Sequence, residues 1–127
     1  MKKTYAELTR AEDQIMQILW KIEKGFIKDI LKHFDEPKPA YTTVATIVKI
    51  LEKKNIVSHK PFGNAHQFYP LISKEDYSKT HVNMIFSKYF KSSIKDVVSF
   101  FADNNTVNIN DIDNAINLLN EIKNNKS

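Results

Sequence analysis

The chain has 127 residues, the size of one ordinary domain or of two very small ones, and this length disfavours a large enzyme fold. It contains no cysteine, which excludes disulfides, cysteine-ligated zinc and thiol catalysis and fits a reducing cytoplasm. Its start lacks the apolar core of a signal peptide, and no later run reaches the roughly 18 apolar residues of a membrane span. These features predict a cytoplasmic protein with no membrane segment.

The formal net charge of +4 is located in the N-terminal half. Residues 1 to 72 hold twelve Lys/Arg and eight Asp/Glu, whereas residues 73 to 127 hold seven of each. The charged residues between 38 and 60 are Lys38, Lys49, Glu52, Lys53, Lys54 and Lys60. A cationic half of this kind fits a surface that binds phosphate, although lysines that simply solvate a helix would give the same pattern.

Two helices are predicted in the first part of the chain. The segment from Thr9 to Glu12 has the pattern of a capping box, and apolar residues at helical spacing predict a helix over 10 to 23. Gly25 ends this helix, and a second apolar set predicts a short helix over 27 to 34.

A third helix, over 41 to 54, follows a turn at 35 to 39 whose two prolines cannot continue a helix. Its apolar stripe consists of Val44, Ile47, Val48 and Leu51. Its opposite face holds Thr42, Thr43, Ala45, Thr46, Lys49 and Lys53. The pattern therefore predicts a helix with an apolar side towards the core and a polar side towards solvent.

Two β-like segments follow, at 56 to 60 and 66 to 71, around a Pro/Gly/Asn turn at 61 to 65. A two-stranded hairpin is marginal by itself, so it must pack on the helices before it. Three helices followed by such a hairpin indicate a winged helix-turn-helix, and we assign residues 1 to 73 to a DNA-binding domain. The alternative is that the third helix runs on and the hairpin is only a loop.

Amphipathic helices with no sheet to cover them are predicted in the remaining part of the chain. They are expected over 74 to 90, from Ser93 to Phe101, and from a capping pattern at Asn108 to Asp111 onward. The link at 102 to 107 is mostly polar, and 123 to 127 is expected to be a frayed tail.

Burying these apolar faces requires a partner surface, and the simplest partner is a second copy of the chain. Residues 74 to 127 are therefore predicted to form a three-helix dimerisation domain. The residues expected at the dimer interface are Tyr77, Ile85, Phe86, Tyr89, Ile112, Ile116 and Leu119. The predicted fold class is mostly helical with a small β-hairpin.

The polar side of the third helix fits the major groove of DNA. A helix can enter that groove only if it presents small polar and cationic groups, and its first-turn N–H groups also attract phosphate. The candidate base-contacting residues are Thr42, Thr43, Thr46 and Lys49. The hairpin residues expected near the DNA backbone or minor groove are Lys60, Asn64 and His66. The alternative is that these threonines merely begin a helix and face water.

No enzyme site is predicted. The four histidines are scattered without metal-ligand spacing, and the adjacent acid pairs fall at predicted helix starts, where the helix dipole explains them, or in the turn. The two glycines, Gly25 and Gly63, are too far apart for a phosphate-binding loop. We therefore expect no metal, no cofactor and no catalytic residue.

Three segments resemble the penicillinase-repressor family of the BlaI/MecI type. They are LTRAEDQIMQILW at 8 to 20, YTTVATIVKILEKKNIV at 41 to 57 and FYPLISKEDY at 68 to 77. The resemblance covers nearly the whole chain in the same element order. It implies a homodimer that binds a dyad-symmetric operator, blocks promoter access and dimerises through its C-terminal domain. The DNA contacts that it implies come from Thr42, Thr43, Thr46 and Lys49, with Tyr41 and Lys60 near the backbone.

The chain departs from the family pattern at three places. Thr42 and Ala45 align with positions that are commonly basic, which predicts a different operator preference. Antibiotic-responsive members are cut by a sensor-protease just before a phenylalanine, and the corresponding Phe100–Phe101 bond lacks the usual preceding asparagine, which argues against induction by cleavage. Copper-responsive relatives carry a C-terminal cysteine motif, which a chain without cysteine excludes.

The leading hypothesis is a repressor bound to double-stranded operator DNA. The alternative is a winged-helix protein-interaction module without specific DNA recognition, favoured by the missing cationic residues in the first turns of the third helix. A small hydrolase, the third class, has almost nothing in its favour.

Overall fold

The structure is a computed structural model that describes residues 7 to 104 and 107 to 126. Its elements in chain order are α1 (Arg10–Ile22), α2 (Ile27–Lys32), α3 (Tyr41–Lys53), β1 (Val57–Phe62), β2 (Ala65–Pro70), α4 (Lys74–Tyr89), α5 (Ile94–Asp103) and α6 (Ile109–Lys126). The predicted fold class, mostly helical with one hairpin after the third helix, is confirmed.

The chain forms two compact units, of which the first ends at Val82 and the second begins at Asn83. The division lies within α4, whereas the sequence places a domain boundary between residues 73 and 74, where α4 begins. The assignment of DNA binding to one part and dimerisation to the other remains a prediction.

Short-range hydrogen bonds fix the start of α1. Thr9 Oγ1 accepts a hydrogen bond from the backbone N–H of Glu12 at 3.1 Å, and Glu12 Oε1 accepts one from the backbone N–H of Thr9 at 2.9 Å. The predicted capping box is therefore confirmed. Ser93 and Asn108 cap α5 and α6 in a similar way, each accepting from the backbone N–H three residues later.

The core of the first unit lies between α1, α2, α3 and the hairpin. Its buried apolar residues are Ile15, Met16, Leu19, Ile27, Ile30, Val44, Val48, Leu51, Ile56, Val57, Phe68, Ile72 and Tyr77. Most of the predicted apolar stripe of α3 is in this set, and Ile47 packs against it. The core therefore holds α3 with its polar side outward.

The hairpin has a shorter turn than the sequence predicts. β1 and β2 are antiparallel, and their pairing extends to Phe62 opposite Ala65, so only Gly63 and Asn64 lie between the strands. Pro61 belongs to β1 because an edge strand tolerates a residue that lacks a backbone donor. Gly63 has a φ of 61°, the left-handed conformation that glycine adopts at low cost.

A backbone bridge fastens β2 to the link between α1 and α2. The N–H of Gly25 donates to the carbonyl oxygen of Phe68 at 2.9 Å, and the N–H of Phe68 donates to that of Gly25 at 2.8 Å. A Cβ on Gly25 would lie 2.8 Å from Ile22 Cδ1 and 3.1 Å from Asp29 Cβ. Because Gly25 has no side chain, its backbone can lie this close to Ile22 and Asp29.

Tyr77 belongs to the core of the first unit, and not to an exposed dimer face as the sequence predicts. Only 8% of it is exposed, its hydroxyl accepts a hydrogen bond from the N–H of Leu8 at 3.1 Å, and its ring centroid is 5.7 Å from that of Trp20. Because one chain already covers this side chain, Tyr77 is not available to a second copy. Trp20 itself donates to the carbonyl oxygen of Ile72 at 2.9 Å.

The second unit has no buried residue among those described from Asn83 onward. α6 continues to Lys126, so the predicted frayed tail is wrong for residues 123 to 126, and Ser127 lies outside the described residues. α5 extends to Asp103, into the predicted polar link, of which residues 105 and 106 lie outside the described part. No helix in the described ranges has the length and hydrophobicity needed to cross a bilayer.

Candidate nucleic-acid interface

The polar face of α3 is open to solvent. The four residues predicted to contact bases are all exposed, and they are Thr42, Thr43, Thr46 and Lys49. The opposite side of the helix is anchored by Val44, Val48 and Leu51, which are almost fully buried. The structure therefore brings the predicted base-contacting residues together on one rigidly supported face.

The start of α3 is favourable for an anion. The residue before the helix is Ala40, which offers no side-chain acceptor to the first-turn N–H groups, and the first turn contains no acidic residue. Uncapped N–H groups and the positive end of the helix dipole attract a phosphate. Tyr41, predicted to lie near the DNA backbone, is 57% exposed at this position.

Thr46 makes a hydrogen bond within α3 that limits what it can offer a ligand. Its Oγ1 donates to the carbonyl oxygen of Thr42, one turn earlier, at 2.8 Å. A hydroxyl has a single proton, so Thr46 retains only its lone pairs and its methyl group for other contacts.

The lysines at the end of α3 are not equivalent. Lys54 donates to both carboxylate oxygens of Glu12, at 3.0 and 2.8 Å. Burial alone raises the pKa of Glu12, but hydrogen bonds from Lys54 and Thr9 outweigh it and hold the pKa below its ordinary value. Lys54 is therefore neutralised by a partner in α1, whereas Lys49 and Lys53 are exposed.

The ion pair of Glu12 was missed in the sequence, where this acid was explained by the capping box and the helix dipole. The two partners are 42 residues apart, and no local pattern connects them. The cationic excess of the segment from 38 to 60 is reduced by this pair.

Contacts between side chains attach the hairpin to α3. His59 in β1 and Glu52 of α3 form a hydrogen bond between the ring Nδ1 and the carboxylate Oε2. The His59 ring also stacks on His66 of β2, with 4.0 Å between centroids and 9° between planes. These contacts fix the position of the strands relative to the polar face of α3.

The three predicted hairpin contacts do not share one face. Lys60 pairs with Gln67, while His66 pairs with Pro61. Because successive residues of a strand point to opposite sides, Lys60 faces away from the side that carries His59 and His66. Asn64 lies in the turn between the strands, and Lys60, Asn64 and His66 are all exposed.

Two exposed apolar residues near this surface were not singled out in the sequence. Ile50 is 43% exposed, and it lies one turn after Thr46 on the same side of α3. Phe62, next to the hairpin turn, is 54% exposed and meets Phe26 edge to face with 5.8 Å between ring centroids. The helical spacing from Thr43 and Thr46 is the signal that could have found Ile50.

In the second unit, the candidate dimer residues differ in exposure. Tyr89, Ile112, Ile116 and Leu119 are exposed, whereas Ile85 and Phe86 are half-buried. Further exposed apolar residues in this unit are Ile94, Val98, Phe100, Phe101, Ile109, Leu118 and Ile122. Exposed apolar surface of this extent is typical of sites of association.

No metal centre is present in the parts of the chain that the structure describes. Across residues 7 to 104 and 107 to 126, no three His, Asp or Glu side chains come together in a way that could hold a metal ion.

Comparison with known proteins finds a matching family and two similar proteins. The family model described as penicillinase repressor matches residues 8 to 121. A penicillinase repressor of Bacillus licheniformis is 22% identical over 125 residues, which is 98% of each chain. A penicillinase repressor of Staphylococcus aureus is 24% identical over 123 residues, covering 96% of this chain and 98% of the relative.

One solved structure aligns with the first part of the molecule. It is the solution structure of the DNA-binding domain of the repressor BlaI, which is 26% identical with a TM-score of 0.50. The alignment covers 61% of this chain and 94% of that domain. The likeness therefore includes nearly all of the known DNA-binding domain.

Proposed function

This chain belongs to the penicillinase repressor family, and on that premise we propose that it is a transcriptional repressor that binds double-stranded operator DNA as a homodimer. The binding is sequence-specific, the operator is dyad-symmetric, and the bound protein blocks access to the promoter. The function requires no cofactor or catalytic group, and its place of action is the cytoplasm.

The exposed threonine and lysine face of α3 is the observation that carries the proposal. Thr42, Thr43 and Thr46 are small enough to approach base edges, and Lys49 supplies a positive charge on the same face. The uncapped start of α3 can receive a phosphate and orient the helix in the major groove. Its likeness to the BlaI DNA-binding domain supports the same use of this helix.

The second unit supports the homodimer. Ile112, Ile116 and Leu119 lie on one side of α6, because residues three and four apart share a helix face, and all three are exposed. A second copy of the same unit would bury this face in a two-fold arrangement. Two copies of α3 would then face two half-sites of a dyad-symmetric duplex.

Release from the operator by cleavage at Phe100–Phe101 is not part of the proposal. This bond lies within the helix α5, so a protease would have to unwind the helix before it could bind the chain in extended form. The residue on the N-terminal side of the bond is Phe100, and not the asparagine of the antibiotic-responsive members.

Fluorescence anisotropy tests DNA binding. The probes are a labelled duplex from upstream of the protein's own gene and a scrambled duplex of the same composition. We expect tighter binding to the upstream duplex by at least about 1,000-fold, and a steep loss of affinity as salt rises, because lysine contacts with phosphate release counterions.

Equal affinity for the two duplexes would contradict the proposal. It would favour a winged-helix protein-interaction module, for which the specific observation is that the first two turns of α3, from Tyr41 to Val48, contain no lysine or arginine. That function predicts a stable protein complex and no protected site on the promoter.

A further inference from the structure

We propose that Thr46 reads an A·T base pair in the major groove, through contact between its methyl group and the C5-methyl group of thymine. The inference rests on the proposed function and deepens it, since it names the class of base pair that α3 selects. Thr46 is thereby a specificity-determining residue.

The hydrogen bond of Thr46 within α3 determines which groups of its side chain can contact DNA. Its hydroxyl proton is donated to the carbonyl oxygen of Thr42 at 2.8 Å. The guanine edge in the major groove offers only the acceptors N7 and O6, which require a donor from the protein. With its proton directed into the helix, Thr46 has none to give.

The groups that Thr46 still offers match the other base pair. Its methyl group can contact the thymine methyl, and its oxygen can accept a hydrogen bond from the N6 amino group of adenine. Thymine and adenine are the two members of one pair, so both remaining contacts select the same pair. Cytosine N4 could also donate to the oxygen, but a C·G pair lacks the methyl group.

The residues around Thr46 in the first two turns of α3 include none that makes bidentate contacts with bases. In helix-turn-helix proteins the N-terminal residues of the recognition helix contact the base edges. From Tyr41 to Val48, α3 contains no Asn, Gln, Arg or Lys, the residues whose long side chains make bidentate contacts with bases. The exposed threonines of this stretch are therefore suited to methyl contacts rather than to bidentate hydrogen bonds.

The experiment begins with selection of binding sites from a random duplex library by the full-length protein. The enriched duplex then serves as the probe, and each thymine is replaced in turn by deoxyuridine, which removes only the C5-methyl group. At one position in each half-site, we expect affinity to fall about three- to fivefold for one replacement, the value of one buried methyl group.

Two substitutions of Thr46 identify the reading group. Thr46→Val keeps a methyl group and lacks the hydroxyl, and it should show the same loss on the uracil duplex as the unchanged protein. Thr46→Ser keeps the hydroxyl and lacks the methyl group, and it should bind the thymine and uracil duplexes with equal affinity. Both changes are at an exposed position, where folding is little affected.

The possible outcomes distinguish failure of the methyl contact from failure of the repressor function. Enrichment of a specific duplex with no position sensitive to uracil would overturn the methyl contact and leave the repressor function intact. A loss on uracil that persists in Thr46→Ser would assign the contact to another residue and overturn the role of Thr46. A library that yields no enriched sequence would overturn the repressor function itself.

Discussion

Lys54, immediately after α3, and Glu12, in the first turn of α1, form an ion pair in which both carboxylate oxygens accept from the ammonium group. Glu12 is 3% exposed and also accepts the N–H of Thr9. The pair joins the capped start of one helix to the end of the helix that presents the candidate DNA-binding face. It therefore ties the orientation of α3 to the core.

Replacing Glu12→Gln should lower the free energy of unfolding by about 1.5–3 kcal/mol, because the charged hydrogen bonds to Lys54 are lost at a buried site. Trp20, the single tryptophan, lies in the first unit and reports its urea unfolding by fluorescence. Asp13→Asn is the matched control, since it removes a neighbouring charge at the same helix start and should change stability by about 0.5 kcal/mol or less. Equal effects of the two changes would contradict a special role for Glu12.

The stability that Glu12 provides should depend on pH. Its pKa is lowered in the folded protein, so the contribution is present above the pKa of the unfolded chain and is lost as the pH falls through the folded pKa. The difference in unfolding free energy between the unchanged protein and Glu12→Gln should be largest near pH 7 and shrink below about pH 4.3, the ordinary range of a glutamate. A difference that stays constant from neutral to acid pH would refute this assignment.

Replacing Gly25→Ala should destabilise the first unit by about 1–3 kcal/mol. The added Cβ would lie 2.8 Å from Ile22 Cδ1, which would have to rotate away, and 3.1 Å from Asp29 Cβ, which is fixed by its backbone. The backbone of Gly25 cannot retreat without breaking its bridge to Phe68. Gly63→Asn is the control, because asparagine tolerates the left-handed conformation and nothing lies within 4 Å of a Cβ there. The measurement is again urea unfolding, and a Gly25→Ala protein as stable as the Gly63→Asn protein would show that the close approach has no energetic importance.

Replacing Ile116→Glu should raise the dissociation constant of the dimer at least about 100-fold, because an unpaired carboxylate would be buried between two copies. Sedimentation equilibrium measures this constant. Asn117→Glu introduces the same charge on a neighbouring position of α6 that points away from the apolar side, and it should leave the dimer intact. Dimers of equal stability in the two variants would place the interface elsewhere.

Local patterns made much of the fold predictable. The capping box at Thr9 and the helical spacing of apolar residues in α3 act over three or four residues, so they can be recognised without knowledge of the tertiary structure. The position of the hairpin was predicted correctly because its signal, two β-like segments around a turn, is also local. Its turn was predicted too long because Pro61 was counted in the turn, whereas it occupies an edge strand.

Contacts between distant residues could not be predicted in this way. The hydroxyl of Tyr77 meets the backbone of Leu8, 69 positions away, and its ring packs near that of Trp20. These contacts show that the start of α4 belongs to the first unit. Helical periodicity places Tyr77 on the apolar side of α4, but it does not show which surface covers that side. The bridge between Gly25 and Phe68 and the pair of Lys54 with Glu12 were missed for the same reason.

The candidate DNA-binding face was largely predictable, because the polar side of α3 follows from the spacing of Val44, Val48 and Leu51. Its chemistry was not. The hydrogen bond from Thr46 to Thr42 decides which groups face a ligand, and it depends on a side-chain rotamer that composition and periodicity do not specify.

Hydroxyl-radical footprinting of the full-length protein on the duplex from upstream of its own gene tests the central claim most directly. Two copies of α3 held by a symmetric dimer should protect two stretches related by a dyad, with centres about 10 base pairs or a multiple of that apart. A single protected stretch without a dyad partner, or no protection at concentrations that saturate the upstream duplex, would contradict a dimeric repressor that reads DNA with α3.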